Sequence, residues 1–324
     1  MSQHRGRAVA VVIGAGVLFG TTGTASVLAD TSASPTAIAA ARMLVGSLGL
    51  VLVATLQRGV APLVVLWRQR ETWFMGIGVA GYMSTFFIAV HLGGVAIASL
   101  VSISLSPFFT STIARMFGRP WPGRTWLIST LLAITGVVLL GMPSAGAGGD
   151  SRLAGALCAA IASASYGLYT VFGARFIDGE HHATDALAAS FAIGTIILLP
   201  ALVIDPHWLV TPRGILLALW LGIASTTTSY IMFGYGLTHL APGVVATLVL
   251  SEPVVATLLG VGVLGEQMPM RGWFGCALIA IGLLLVARNE SKSNTSVDGA
   301  AASLPATTVT PAATPGAPGA AWRR

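Results

Sequence analysis

Charge is what this sequence has least of. Only 9 % of its 324 residues are charged, against roughly a quarter in a soluble domain. A chain so poor in charge does not build a water-facing globular surface. Lysine is almost absent: sixteen of the seventeen basic residues are Arg. The net charge of +6 therefore reflects a few loops and does not indicate nucleic-acid binding. Cysteine is scarce too. Cys158 and Cys276 both lie inside apolar runs with no metal-ligand spacing, so they read as small packing residues.

Other chemistry is missing as well. No P-loop is present, so ATP is not expected to drive the protein directly. No Asp-rich pair, HExxH or GxSxG constellation appears, which argues against an intramembrane prenyltransferase, protease or hydrolase. No Arg-rich sensor helix or TVGYG-like filter suggests a channel. His181-His182, with Asp178, Glu180 and Asp185 nearby, reads as a solvated loop rather than a metal site. No cofactor and no metal are expected. Alternating ten-residue strands, as a membrane β-barrel requires, are absent.

What the sequence has in abundance is apolar runs of about twenty residues, the length at which a helix crosses a bilayer core of about 30 Å. Ten are read: Ala8–Ala29, Thr36–Leu56, Trp73–Leu92, Val95–Phe117, Thr125–Met142, Leu153–Phe172, Ala186–Ile204, Gly214–Leu237, Gly243–Gly265 and Trp273–Ala287. The fold class is an all-α polytopic membrane protein. Arg5 and Arg7 before the first run resemble a signal peptide, but the run is long enough to span and has a partner later in the chain. From about Arg288 onward the chain is Ala, Thr, Ser and Pro without periodicity, and is expected to be a disordered tail.

The chain repeats itself. Pro122-Gly123-Arg124-Thr125-Trp126 is echoed 147 residues later by Pro269-Met270-Arg271-Gly272-Trp273. His91-Leu92 returns as His239-Leu240, Phe19-Gly20 as Tyr166-Gly167, and Ser106-Pro107 as Glu252-Pro253. The order is kept throughout, so residues 1–145 and 151–288 read as two five-helix repeats, with 289–324 as the tail. Five crossings are an odd number, so the second copy enters the membrane upside down. That is the inverted-repeat plan of secondary transporters. With the N-terminus inside, thirteen basic residues lie on the inner side and only Arg152, Arg213 and Arg271 on the outer. The positive-inside rule then places both termini in the cytoplasm.

Two charges lie clearly within the spans, Arg42 and Glu252. Arg42 is positioned to meet an anionic part of a substrate, to pair with Glu252 or Asp30, or to snorkel outward. Glu252 is flanked at helical spacing by Leu248, Val249, Val255 and Ala256. An acid in such a stripe is costly to keep charged. It is therefore expected to exchange a proton and couple proton movement to substrate movement. Pro253 beside it, and Pro107 in the fourth span, interrupt the backbone ladder and supply bending. Hydroxyls fall on single helix faces: Ser99, Ser102, Ser106 and Thr110; Ser163, Tyr166 and Thr170; Ser225, Thr226, Ser229 and Tyr230; Thr21 and Thr24; Tyr82 and Thr85. These stripes suit either a wet interior or close helix contacts. The expected site residues are Glu252, Arg42, Tyr82, Tyr166, Ser229 and Tyr230, with Pro107 and Pro253 as bends.

Ten short-looped helices, a five-plus-five duplication, Arg42 in the second helix and these Pro motifs together resemble the drug/metabolite transporter superfamily, EamA type. The run Glu252-Pro253, Leu264-Gly265-Glu266, Trp273, Gly275 and Gly282 is similar to that family's second-repeat signature. The first repeat departs from it, with Gly118-Arg119 where Gly-Glu is expected and Ser106 where the second repeat has its acid. The resemblance implies a gradient-driven exporter of small metabolites, amino acids or drugs in the bacterial inner membrane. Its expected partners are a small-molecule substrate, the lipid bilayer and protons as the coupling ion. A second class of function is an intramembrane enzyme or lipid-handling protein using Glu252 as acid or base. That class requires several ionisable groups gathered at an opening toward lipid.

Overall fold

The computed structural model describes residues 2–141, 150–178, 181–265 and 267–302. Regular structure among them is helical throughout. The elements are α1 (Ser2–Ala29), α2 (Pro35–Arg58), α3 (Ala61–Trp67), α4 (Arg70–Met116), α5 (Arg124–Gly141), α6 (Asp150–Asp178) and α7 (Ala183–Ile204). There follow a short 3-10 turn (His207–Val210), α8 (Pro212–Leu219), a π-helical stretch (Trp220–Thr228), α9 (Ser229–Leu237), α10 (Pro242–Leu248), α11 (Ser251–Leu264) and α12 (Met270–Ala302).

Among the described residues, seven helical segments are long and apolar enough to cross a membrane: 4–29, 35–58, 153–178, 183–204, 212–237, 242–264 and 270–289. Burial follows the same solvent logic. Leu48, Leu52, Ile196, Val203 and Leu216 are exposed, whereas Ser163, Thr170, Ser190, Ser225, Thr226 and Thr247 are fully buried. Apolar groups outside and hydroxyls inside is the arrangement lipid favours and water does not.

Local chemistry sets several ends. Ser34 caps α2 by accepting from Ala37 N, with Pro35 at its first position. Thr211 caps α8 in the same way from Gly214 N, before Pro212. Gly265, left-handed at φ 71°, closes α11.

Helix α4 carries the two runs that the sequence divides at 92–95. A straight helix of 47 residues would be about 70 Å long. Phe74 near one end and Phe117 just past the other nonetheless both pack on the Phe172 ring, at centroid distances of 6.0 and 5.3 Å. Ala89 and Ala98 share one apolar cluster with Ala159. The element therefore doubles back between Ala89 and Ala98, and its two limbs clasp α6. The sequence also expects an unstructured chain after Arg288, but α12 continues to Ala302. No proline or glycine other than Gly299 interrupts that extension. Residues 303–324 lie outside the described residues, as does most of the expected loop 143–152.

Helix directions follow from side-chain contacts. Thr195 donates to Ser47 Oγ at 3.0 Å, and Arg58 pairs with Asp185, so α2 and α7 run antiparallel. A Cβ at Gly136 would strike Gly275 and Ile279, and one at Gly282 would strike Ser129 and Ala133, so α5 and α12 are antiparallel too. Close approaches come in matched sets. Gly20 lies against Glu252 and Val255, and Gly167 against Phe109 and Thr110. Gly46 lies against Gly222 and Thr226, and Gly194 against Gly76 and Val79.

Packing is uneven from end to end. Every residue of α10 is buried, as are Ala8, Val9, Val12, Ala15 and Phe19 of α1. Beyond them, α11 buries only Ser251, Pro253 and Gly260. The bundle is sealed at the end where α1 begins and looser beyond the level of Glu252.

Candidate functional site

The ninth apolar run is broken at its centre. Pro253 has no N–H to give the Val249 carbonyl. Helix α10 stops at Leu248 and α11 starts at Ser251; Glu252 N donates to Val249 O at 2.9 Å across the break. Glu252 thus stands in the first turn of α11, where unpaired N–H groups favour a negative charge. Helix α1 approaches this break through glycine. A Cβ at Gly20 would lie 2.8 Å from the Glu252 carbonyl oxygen, and one at Gly16 would strike Ser251. Glu252 remains partly accessible in the middle of the bundle. None of the ion pairs among the described residues includes it.

Arg42 lies about two turns into α2. Its Nε donates to Thr226 Oγ1 at 2.9 Å and its Nη2 to the Ser225 carbonyl at 3.3 Å. The sequence suggests a substrate, Glu252, Asp30 or the headgroups as its partner; of the protein groups, the structure holds it on the π-helical stretch rather than on either carboxylate. There the hydroxyls reach back five residues: Thr226 to Leu221 O at 2.7 Å, Thr227 to Gly222 O at 3.1 Å and Ser229 to Ala224 O at 3.0 Å. The stretch is also tied to its neighbours. Thr22 and Ser225 share a hydroxyl bond of 2.8 Å, and Thr227 donates to Gly46 O at 3.1 Å.

Aromatic rings line the other side. Tyr82 packs on Tyr166 at 5.9 Å and on Phe86 at 6.1 Å. Tyr230 packs on Phe191 at 4.3 Å and Phe19 at 5.2 Å, and its hydroxyl meets that of Tyr169 at 3.1 Å. Tyr166 has a buried hydroxyl with no partner. Arg42, Glu252, Tyr82 and Tyr230 lie within electrostatic reach of one another, and Tyr166 within reach of Glu252.

The expected residues Glu252, Arg42, Tyr82, Tyr166 and Tyr230 are therefore brought together. Ser229 is not presented in the same way: it is fully buried and bonded to its own helix. Pro107 lies inside α4 without a break like that at Pro253. Several hydroxyls of the stripes bond carbonyls of their own helix, as Ser106 to Ile103, Thr170 to Tyr166 and Thr85 to Gly81. Thr110 and Ser163 are buried without a partner. The sequence reading gave Thr22, Tyr169, Phe19 and Phe191 no place in the site, nor Ser225 and Thr226 a role at Arg42. The unbroken hydroxyl run Ser225-Thr226-Thr227-Thr228-Ser229 was the available signal.

Away from this centre, three polar links join the two halves of the sequence at the sealed end. They are Arg58 with Asp185, Arg119 with Asp178, and Gln69 with His181 at 3.4 Å. A surface cavity of about 220 Å³ lies beside them, lined by Gln69, Glu71, Phe172, Arg175, Phe176 and His181. No group of three or more metal-ligating side chains occurs among the described residues.

The EamA-like transporter family matches residues 6–142 and again 153–288. The chain belongs to that family. Among relatives of this EamA-like transporter, the uncharacterized transporter YwfM of Bacillus subtilis is 34 % identical over 88 % of this chain and 95 % of its own length. The threonine/homoserine exporter RhtA of Escherichia coli is 27 % identical over 68 % of this chain and 78 % of its own. The inner membrane transporter YedA of Escherichia coli is 23 % identical over 64 % of this chain and 70 % of its own. A solved crystal structure, 23 % identical, superposes with a TM-score of 0.74 over 88 % of this chain and 99 % of that one. It supports the fold alone. The EamA-like chain is thus a multi-pass membrane transporter.

Proposed function

We propose that this transporter is a gradient-driven exporter working by alternating access, with amino-acid-like zwitterions as its substrate class. The observation that carries the reading is the pair Arg42 and Glu252. Two opposite charges share one partly accessible centre without an ion pair between them. A buried charge left without a counter-charge is costly unless a ligand or water completes it. A carboxylate toward Arg42 and an ammonium toward Glu252 would complete both. The Tyr82, Tyr166 and Phe86 rings are placed to take the apolar part. The name of the relative RhtA, a threonine/homoserine exporter, agrees with that class.

The proposed architecture is ten crossings in two inverted repeats, residues 1–145 and 151–288. Seven candidate spans, the two limbs of α4 and the shorter apolar helix Arg124–Leu139 supply the count. The twofold family match supports the duplication. The matched glycine contacts, with α2 antiparallel to α7 and α5 to α12, support an axis in the membrane plane. Arg58, Arg119 and Arg175 cluster at the end where α1 begins, which the positive-inside rule assigns to the cytoplasm. Glu252 is the proposed proton carrier, with Pro253 and Pro107 as the bends.

The test is uptake of labelled amino acids into inverted vesicles, with and without an imposed proton gradient. Gradient-dependent uptake by the wild type, lost in E252Q, is the expected result. Uptake insensitive to the gradient overturns the coupling, and no uptake of any amino acid overturns the substrate class.

A further inference from the structure

We propose that Thr226, presented by the π-helical stretch, is the positioning residue that turns Arg42 toward the substrate. This deepens the proposed amino-acid reading and rests on it for the identity of the ligand. A guanidinium has two edges that can grip a carboxylate side by side. One is formed by Nε with the nearer Nη2, the other by Nη1 with Nη2. Here the first edge is already used: Nε donates to Thr226 Oγ1 and Nη2 to Ser225 O. The edge left for a ligand is Nη1 with the remaining hydrogen of Nη2.

The Thr226 hydroxyl has no freedom to do otherwise. Its own hydrogen goes to Leu221 O at 2.7 Å, so a lone pair is left to face Arg42. Its methyl group packs where a Cβ at Gly46 would stand, which fixes the side chain against α2 one turn beyond Arg42. The π geometry is part of the device. A carbonyl in a wider turn is displaced from the α ladder, and Ser225 O accepts from Arg42 in that setting. Thr22 on α1 holds the Ser225 side chain, so the stretch is anchored from two neighbouring helices. The result is an arginine with its chain and one edge immobilised and the other edge presented. Ordering the arginine in advance lowers the entropic cost of capturing a planar carboxylate.

The experiment uses full-length protein in lipid nanodiscs. Phenylglyoxal, which modifies guanidinium groups, is the probe, and modification at residue 42 is followed by peptide mass spectrometry. Loss of a hydrogen bond to a charged group corresponds to about a tenfold change. T226V is expected to raise the rate at Arg42 by about that factor, while T226S, which keeps the hydroxyl, stays within about twofold. T226A replaces T226V if the latter does not fold, as judged by gel filtration. In threonine counterflow across proteoliposomes, T226V is expected to raise KM about tenfold with kcat little changed. Equal modification rates in wild type and T226V overturn the positioning role. Faster modification with an unchanged KM overturns its part in carboxylate capture. Faster modification in a protein that moves no amino acid leaves the positioning role standing and overturns the substrate class alone.

Discussion

Replacing Asp185 by Asn should unlatch the sealed end of the bundle. Asp185 sits in the first turn of α7, 3 % exposed, and takes both Nε and Nη2 of Arg58 at 3.0 and 3.4 Å. The pair ties α2 in the first half to α7 in the second. A hydrogen bond between charged groups contributes about 1.5–3 kcal/mol net. Arg58 keeps 26 % of its side-chain exposure, so it regains water when the carboxylate is lost. The upper part of that range therefore does not apply. Asn retains one acceptor, which trims the loss further. About 2 kcal/mol remains, or roughly a thirtyfold shift between closed and open forms. The readout is a cysteine at Leu237, which is buried and whose Cδ1 approaches Gly173 across the seam of α6 and α9. Cys158 and Cys276 are first replaced by alanine. Labelling of L237C by an impermeant maleimide in inverted vesicles should be slow with Asp185 and about ten- to thirtyfold faster with Asn. An unchanged rate would refute the latch, and with it the view that this end must part during transport.

Other substitutions test the centre. E252Q should abolish gradient-driven transport while retaining exchange of substrate across the membrane, measured as counterflow at several pH values; a pH profile identical to wild type rules out proton carriage. R42K should raise KM by at least about tenfold, because an ammonium offers no planar edge. The companion measurement is kcat, which should move less. G20A places a methyl 2.8 Å from the Glu252 carbonyl oxygen and from Val255. It should cost about 1–3 kcal/mol and lower the unfolding midpoint in detergent. G23A, one turn away with nothing within 4 Å, should be silent by the same measurement.

The membrane fold was legible because hydropathy and loop length act locally. The apolar runs needed no tertiary information. The break at Pro253 was equally visible, since a missing N–H is a property of one residue. Glu252 and Arg42 stood out because a charge in an apolar run is rare and expensive. The partner of Arg42 was not legible. It depends on Thr226 lying 184 residues away in sequence and on a widened helical turn that no residue pattern announces. Hydroxyl stripes stayed ambiguous for a related reason. Periodicity tells which side chains share a face, but Ser and Thr can turn back to their own carbonyls, as Ser106 and Ser229 do. The reversal inside α4 was readable as two runs, yet its backbone stays helical through the region of Gly93-Gly94.

The departures from internal symmetry fall on one side of the centre. Glu252 has Ser106 as its counterpart, and the Ser106 hydroxyl is spent on Ile103 O. Arg42 has no charged counterpart near residues 189–190, where α7 presents Ala189 and Ser190. The π-helical stretch has none in α4. Two charges and the widened turn thus belong to α2, α11 and the segment before α9, while Tyr82, Phe86 and Phe191 furnish the facing wall. Arg42 belongs to the first half and Glu252 to the second, so if the two halves rock about their pseudo-axis the two charges move relative to one another. A ligand whose carboxylate meets Arg42 and whose ammonium meets Glu252 spans the two halves only when they are closed together. Such a ligand ties the rocking to its own presence. A purely apolar ligand would bind one wall and leave Arg42 and Glu252 uncompensated. The same asymmetry therefore argues for coupled transport of polar-headed molecules over passive leakage of apolar ones.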